Sequence, residues 1–310
     1  MAVEGVQRVA VVGCGTVGAS WAALFLSYGL DVAATDPGPD GEERLRRFVG
    51  RAQGQLAELG CRGTGRLEFH GRMADALAGA DLVQENAPED EGLKVRLLAE
   101  IDGLVPPEAI VASSTSALLR SRIVADCRHK DRHIVAHPFN PPHLMPLVEI
   151  LGADEAVVAR ACRLYAALGR RPLVLRREVE GHLANRLASA LFREAVSLIE
   201  QGVAGVEDVD AAVSQGPGLR WAIMGPCLLY HLGGGTGGIA HYLEHLGPSQ
   251  ARRWASLGSP TFGPKTRARI AAGVQAEAAG RSVEELEEER DRALLGLLRL
   301  LGRGPAGGGG

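Results

Sequence analysis

The sequence predicts a doubly wound α/β domain with a mostly parallel sheet, followed by an all-α domain. Three observations carry this prediction. Short apolar runs alternate with helical stretches up to about residue 177, the pattern of strands buried on both faces with helices between them. The first of these strands runs straight into a glycine-spaced turn. After Glu178 the strand signals stop and only helical spacing remains.

The first strand, Val9 to Val12, leads into Gly13-x-Gly15-x-x-Gly18. A stretch rich in Ala and Leu follows, then a second strand, Val32 to Thr35, that ends at Asp36. Strand, glycine turn, helix and strand in this order form a dinucleotide-binding fingerprint, so the domain is of the Rossmann type. Gly13 permits the tight turn, Gly15 admits a pyrophosphate against the backbone, and Gly18 lets the helix approach the sheet. The helix N-terminus supplies amide donors for the phosphates. Gly13, Gly15, Thr16, Val17, Gly18 and Asp36 are therefore the expected cofactor residues. Asp36 lies eighteen residues after Gly18, where a carboxylate accepts from the ribose hydroxyls and repels a 2′-phosphate, which selects NAD over NADP. Arg44, Arg46 and Arg47 read as a solvated helix face.

Further strands are expected at Leu82–Gln84, Ile110–Ser113, Ile134–Ala136, Leu147–Ile150 and Leu173–Leu175. Helical spacing then covers 182–202, 206–215, 222–231, 236–246, 264–278 and 282–301. The expected organisation is a cofactor domain over 1–177, a helical substrate and dimerisation domain over 178–302, and a disordered glycine-rich tail over 303–310. A formal net charge of −3 argues against nucleic acid as a partner. No signal peptide or membrane span is evident, and Cys14, Cys61, Cys127, Cys162 and Cys227 show no CxxC spacing. A cytoplasmic protein with reduced thiols and no metal site is expected.

His137 and Glu149 carry the chemistry. An apolar strand delivers His137 into a Pro-Phe-Asn-Pro-Pro turn, and twelve residues on, Glu149 sits inside the apolar run Leu147–Leu151. A carboxylate in such a run is costly to bury unless paired, and a histidine at a strand end is a ready partner whose basicity it raises. Taken alone, the pair reads equally well as a core histidine beside a surface acid.

With these motifs the chain resembles the 3-hydroxyacyl-CoA dehydrogenase superfamily over residues 8 to roughly 260. His137, Asn140 and Pro141 match its H-x-x-N-P segment, and Glu149 its glutamate. Ser116 ends a matching Ser113-Ser114-Thr115-Ser116 segment, and Asn185-Arg186 matches an N-R pair that opens the helical domain. Glu89 and Lys94, five apart, match a cofactor-side acid and lysine. The resemblance implies that His137 takes a proton from a substrate 3-hydroxyl while hydride leaves for NAD. Glu149 then orients the ring, and Ser116 and Asn185 hold the reacting oxygen. Asn140, Glu89 and Lys94 are implied at the cofactor. Read without the family, Ser116 is equally a helix N-cap, Asn185 a cap of the long helix, and Lys94 a partner of Glu91.

The segment 216–226, GPGLRWAIMGP, resembles the lambda-crystallin group, which includes L-gulonate 3-dehydrogenase and L-carnitine dehydrogenase. Its members oxidise small free 3-hydroxy acids, which makes Arg220 the expected partner of a substrate carboxylate. Its alternative is a structural arginine near Trp221. Arg253 stands where carnitine dehydrogenases carry a proline, and His182 where the family usually has an aromatic residue. Extra arginines favour an anionic or polyhydroxy substrate, and His182 is expected at the surface or an interface, with a more polar pocket as its alternative. Cys14 replaces a small residue of the glycine loop and is expected to be buried and inert. Two other roles stay open: reduction of a 3-keto thioester on CoA, a carrier protein or a polyketide, and a non-enzymatic, crystallin-like role. The helical domain is expected to form a homodimer.

Overall fold

The computed structural model describes Val3 and residues 5–304; the expected tail beyond Gly304 lies outside the described residues. By its contacts the chain divides into two compact units, Met1–Asn185 with Arg290–Gly310, and Arg186–Glu289.

The first unit is built on eight strands: β1 (Arg8–Val12), β2 (Asp31–Thr35), β3 (Leu67–Phe69), β4 (Leu82–Glu85), β5 (Ile110–Ser113), β6 (His133–Pro138), β7 (Leu147–Leu151) and β8 (Arg171–Val174). They form one sheet in the order β3-β2-β1-β4-β5-β6-β7-β8. Every pairing is parallel except β6 with β7, where His137 lies opposite Glu149. The strand order reverses at β1, which pairs with both β2 and β4, and such a switch point opens a ligand crevice at the strands' carboxyl ends. Strand β3 has only three half-buried residues, too short a run for a periodicity signal.

The strands are joined by α1 (Thr16–Ser27), α2 (Gly41–Glu58), α3 (Met73–Leu77), α4 (Glu91–Leu104), α5 (Arg120–Ile123) and α6 (Glu155–Ala167). Helix α1 is buried from Gly18 through Ser27, so it runs through the core rather than over it. Trp21 stacks on Phe25 at 5.6 Å and leans on Tyr165 at 5.5 Å. Helix α2 is amphipathic and buries Leu45, Val49, Ala52 and Leu56 at helical spacing, leaving its arginines outside.

The helical region holds α7 (Ala184–Gln201), α8 (Val206–Ser214), α9 (Pro217–Trp221), α10 (Pro226–Gly233), α11 (Gly238–Ser256), α12 (Pro264–Ala278) and α13 (Val283–Leu301). Three expectations are adjusted. The stretch 222–231 is interrupted, because Gly225-Pro226 ends one turn and starts α10 with Pro at its first position. Helix α11 runs ten residues past the expected 246, through Pro248. Helix α7 starts at Ala184 because Gly181 and His182 both have left-handed backbones, φ 76 and 52. The end of α13 belongs to the first unit, where Leu295 and Leu298 pack on Leu59 and Leu144. Among the described residues no helix is long and apolar enough to cross a membrane.

Candidate active site

The glycine turn between β1 and α1 has the shape its residues foretell. Gly13 has φ 89, and a Cβ there would lie 2.8 Å from the Asn86 carbonyl oxygen. A Cβ on Gly18 would come within 1.9 Å of the Gly13 oxygen, whereas one on Gly15 would meet nothing within 4 Å. Gly13 and Gly18 are thus required by the fold itself. Gly15 leaves open space at the N-terminus of α1, where unpaired amides favour an anion. Asp36 accepts from the Cys14 amide at 2.7 Å and the Gly38 amide at 2.8 Å. Two of its roughly four lone-pair positions are thus left for ribose hydroxyls. The turn fits a dinucleotide. Cys14 is buried, and burial with the neighbouring Asp36 charge pushes its thiol up to about 12, which leaves it inert.

A cavity of about 310 Å³ opens along the carboxyl ends of the strands. Val17, Ser114, Ser116, His137, Pro138, Phe139, Asn140 and Asn185 line it. His137 Nδ1 lies 2.8 Å from Glu149 Oε2. Glu149 is fully buried, and its second oxygen accepts from the Leu183 and Ala184 amides at 3.0 Å each. Burial alone would raise this carboxyl. The bonds from His137, Ala184 and Leu183 outweigh it and hold the carboxyl below its ordinary value. The antiparallel β6–β7 pair explains the contact, because the two residues are direct cross-strand neighbours.

Ser116 sits on a loop clamped from both sides. Glu89 Oε1 accepts from Thr115 Oγ1 at 2.7 Å and from the Ser116 and Ala117 amides at 2.8 Å. From the other side Asn185 Nδ2 donates to the Ser116 carbonyl at 3.2 Å. One donor of Asn185 remains for the cavity it lines. Ser116 caps no helix, since α5 begins at Arg120; within the loop Thr115 Oγ1 accepts from the Leu118 amide. Glu89 thus supports the Ser116 loop.

Lys94 lies elsewhere. It is buried, 2.7 Å from the fully buried Glu85, and it also donates to the Ala87 carbonyl at 2.9 Å. It pairs with neither Glu89 nor Glu91, and Glu91 faces Arg122 instead. Glu85 also accepts from Ser113 Oγ and the Ala87 amide, so the pair fixes the loop that leads to Glu89. Arg220 is on α9 in the second unit, with its side chain exposed.

Four groups escaped the sequence reading. Ser114 Oγ accepts from Gln84 and Trp21 and donates to Asn86 Oδ1, and Tyr165 donates to Gln84 in turn. Only the serine-rich run hinted at Ser114. Phe139 lies against the His137 ring at 5.3 Å, tilted by 58°. Glu85 could have been found as an acid ending an apolar strand. His182, expected at the surface or an interface with the pocket as its alternative, is 1 % exposed with its ring 5.0 Å from that of His137.

Comparison with known proteins identifies the family. The family model described as 3-hydroxyacyl-CoA dehydrogenase, NAD binding domain, matches residues 8–179, and its C-terminal domain matches 181–270. The chain is 44% identical to an L-carnitine dehydrogenase of Bacillus cereus, covering 97% of this chain and 94% of the relative. It is also 44% identical to one from Streptomyces coelicolor, over 97% and 96%. A solved structure of 5-formyl-3-hydroxy-2-methylpyridine 4-carboxylic acid 5-dehydrogenase, an NAD-dependent dismutase, superposes with a TM-score of 0.82 at 31% identity, over 96% of this chain and 98% of that one. The chain belongs to the 3-hydroxyacyl-CoA dehydrogenase family, in the branch of the carnitine dehydrogenases, and is an NAD-dependent oxidoreductase.

Proposed function

We propose that the protein oxidises the 3-hydroxyl of a small free L-3-hydroxy acid, with His137 as the base and Glu149 as its partner. The observation that carries this reading is the buried His137–Glu149 contact at 2.8 Å, beside a cavity lined by Ser116 and Asn185. With Nδ1–H donating its hydrogen bond to Glu149, neutral His137 keeps a lone pair on Nε2 for the substrate hydroxyl proton. Glu149 then stabilises the imidazolium without itself being protonated. Ser116 Oγ and the second Asn185 amide proton hold the reacting oxygen against His137 and polarise the ketone in the reverse direction. Bound NAD supplies the hydride acceptor, held by the Gly13–Gly18 turn, Asp36 and the residues around Asn140.

The free acid is favoured by the two L-carnitine dehydrogenases at 44% identity over nearly full length. Arg220 would take the substrate carboxylate as a bidentate pair. The second unit leaves large apolar side chains open, among them Leu187, Phe192, Leu219, Leu243 and Trp254. A second copy of the chain would cover them in a homodimer. The cytoplasm suits its five free cysteines.

The test is NAD reduction by L-carnitine, L-gulonate and L-3-hydroxybutyrate beside 3-hydroxybutyryl-CoA. Turnover of a free acid, with KM raised at least about tenfold in Arg220→Ala, is expected from loss of a charged pair. Turnover of the thioester alone would move the enzyme to acyl metabolism and remove the role of Arg220.

A further inference from the structure

The segment from Gly181 to Asn185 holds three consecutive carbonyls of the Ser116 loop. Thr115 O accepts from His182 Nε2 at 3.0 Å, Ser116 O from Asn185 Nδ2 at 3.2 Å, and Ala117 O from the Gly181 amide at 3.2 Å. The two amides between them, Leu183 and Ala184, grip Glu149. One short stretch therefore sets the Ser116 loop against the His137–Glu149 pair, and His182 is its centre. Its ring is buried and tilted 44° against that of His137 at 5.0 Å. A carbonyl only accepts, so Nε2 carries a proton, and in the neutral ring Nδ1 carries a lone pair. That buried Nδ1 has no hydrogen-bond partner among the described residues. An apolar ring would fill the same space without that cost. The side chain is therefore explained by the bond it donates rather than by packing.

We propose that His182, uncharged and protonated on Nε2, is a positioning residue that fixes Ser116 relative to His137. The inference rests on the reading of His137 as the base. A charged His182 would set a second positive ring beside the one that must accept the substrate proton. Burial opposes that charge first, and His137 opposes it too; the bond to Thr115 and the Glu149 and Glu89 carboxylates pull the other way, and the net effect holds His182 below the ordinary histidine value.

The test compares full-length wild type, His182→Phe, His182→Gln and His137→Ala on whichever of L-carnitine, L-gulonate and L-3-hydroxybutyrate is turned over. His182→Phe keeps the ring but not the donor, so kcat should fall about 30- to 100-fold, the scale of a misplaced reacting group, with KM within about threefold. NADH binding, read by fluorescence, should stay within about twofold. His182→Gln, whose amide still donates to Thr115 O, should recover kcat to within about fivefold of wild type. The acid limb of kcat/KM should follow one proton in the wild type, a reading that needs no variant to fold. A kcat within twofold in His182→Phe, equal losses in the Phe and Gln variants, or a two-proton wild-type limb that becomes one-proton in His182→Phe would each overturn the proposal. Turnover that survives in His137→Ala would instead overturn the reading beneath it.

Discussion

Glu149→Gln removes one charge from the site and almost no volume. The wild-type carboxylate lies 2.8 Å from His137 Nδ1 and is wholly buried. With charge centres about 4 Å apart and an effective dielectric constant near 20, an imidazolium gains ~4 kcal/mol from that carboxylate. Losing it corresponds to about three powers of ten in rate at 1.36 kcal/mol each. A second effect adds to the first. The Leu183 and Ala184 amides require an oxygen on their side, which turns the Gln NH2 towards His137. Nδ1 must then accept, the ring proton moves to Nε2, and the lone pair that takes the substrate proton is gone. The predicted result is a loss in kcat of ~10³-fold or more, with NADH affinity within about twofold. Stopped-flow NADH formation under single-turnover conditions measures it, with NADH fluorescence titration as the control. A loss of less than tenfold with intact NADH binding would refute the reasoning. In the wild type Glu149 is held below the ordinary carboxylate value, so it stays charged through the working range, and activity lost on mild acidification belongs to other groups.

Other expectations follow from the same geometry. Gly15→Ala should fold normally, since its Cβ meets nothing within 4 Å, yet weaken NADH binding at least about tenfold by filling the phosphate cradle; Gly18→Ala, with its Cβ 1.9 Å from the Gly13 oxygen, should lose thermal stability as well. Asp36→Ser should raise kcat/KM for NADP relative to NAD, because the carboxylate that repels a 2′-phosphate is gone; an unchanged cofactor ratio would remove Asp36 from selectivity. His143 is bonded to Ser20 and Gln55, and burial pushes its imidazole from 6.5 down to about 4. The folded state therefore favours the neutral ring, and its contribution is full above pH 6.5 and lost as pH falls towards 4, up to ~3 kcal/mol. Urea midpoints should drop across that window and flatten in His143→Gln; equal slopes would count against it. Thiol labelling at pH 8 should modify exposed Cys227 in the native protein and reach buried Cys14 only on unfolding.

Much of this was legible in the sequence, because local chemistry dictates it. The Gly13–Gly18 turn and Asp36 are a contiguous pattern whose steric needs can be stated residue by residue, and the described geometry has the same needs. His137 and Glu149 were visible as two polar residues at strand positions, but their contact depends on β6 and β7 pairing antiparallel in one register, which twelve residues of sequence do not specify. The buried Glu85–Lys94 pair was missed because spacing alone could not say that the acid at the end of β4, rather than Glu91, meets Lys94. His182 escaped because its burial follows from two successive left-handed residues that fold the chain back onto the Ser116 loop. Ser114 joins Trp21, Gln84 and Asn86 across three elements, a network no periodicity reports.

The central claim is that His137 is the base that takes the substrate's hydroxyl proton. Its most direct test is single-turnover NADH formation by His137→Ala across pH, with a free L-3-hydroxy acid and NAD. The account predicts a loss of ~10²- to 10⁴-fold at neutral pH that shrinks as rising hydroxide replaces the missing base, with NADH binding unchanged. Hydride transfer within tenfold of wild type at neutral pH would contradict it.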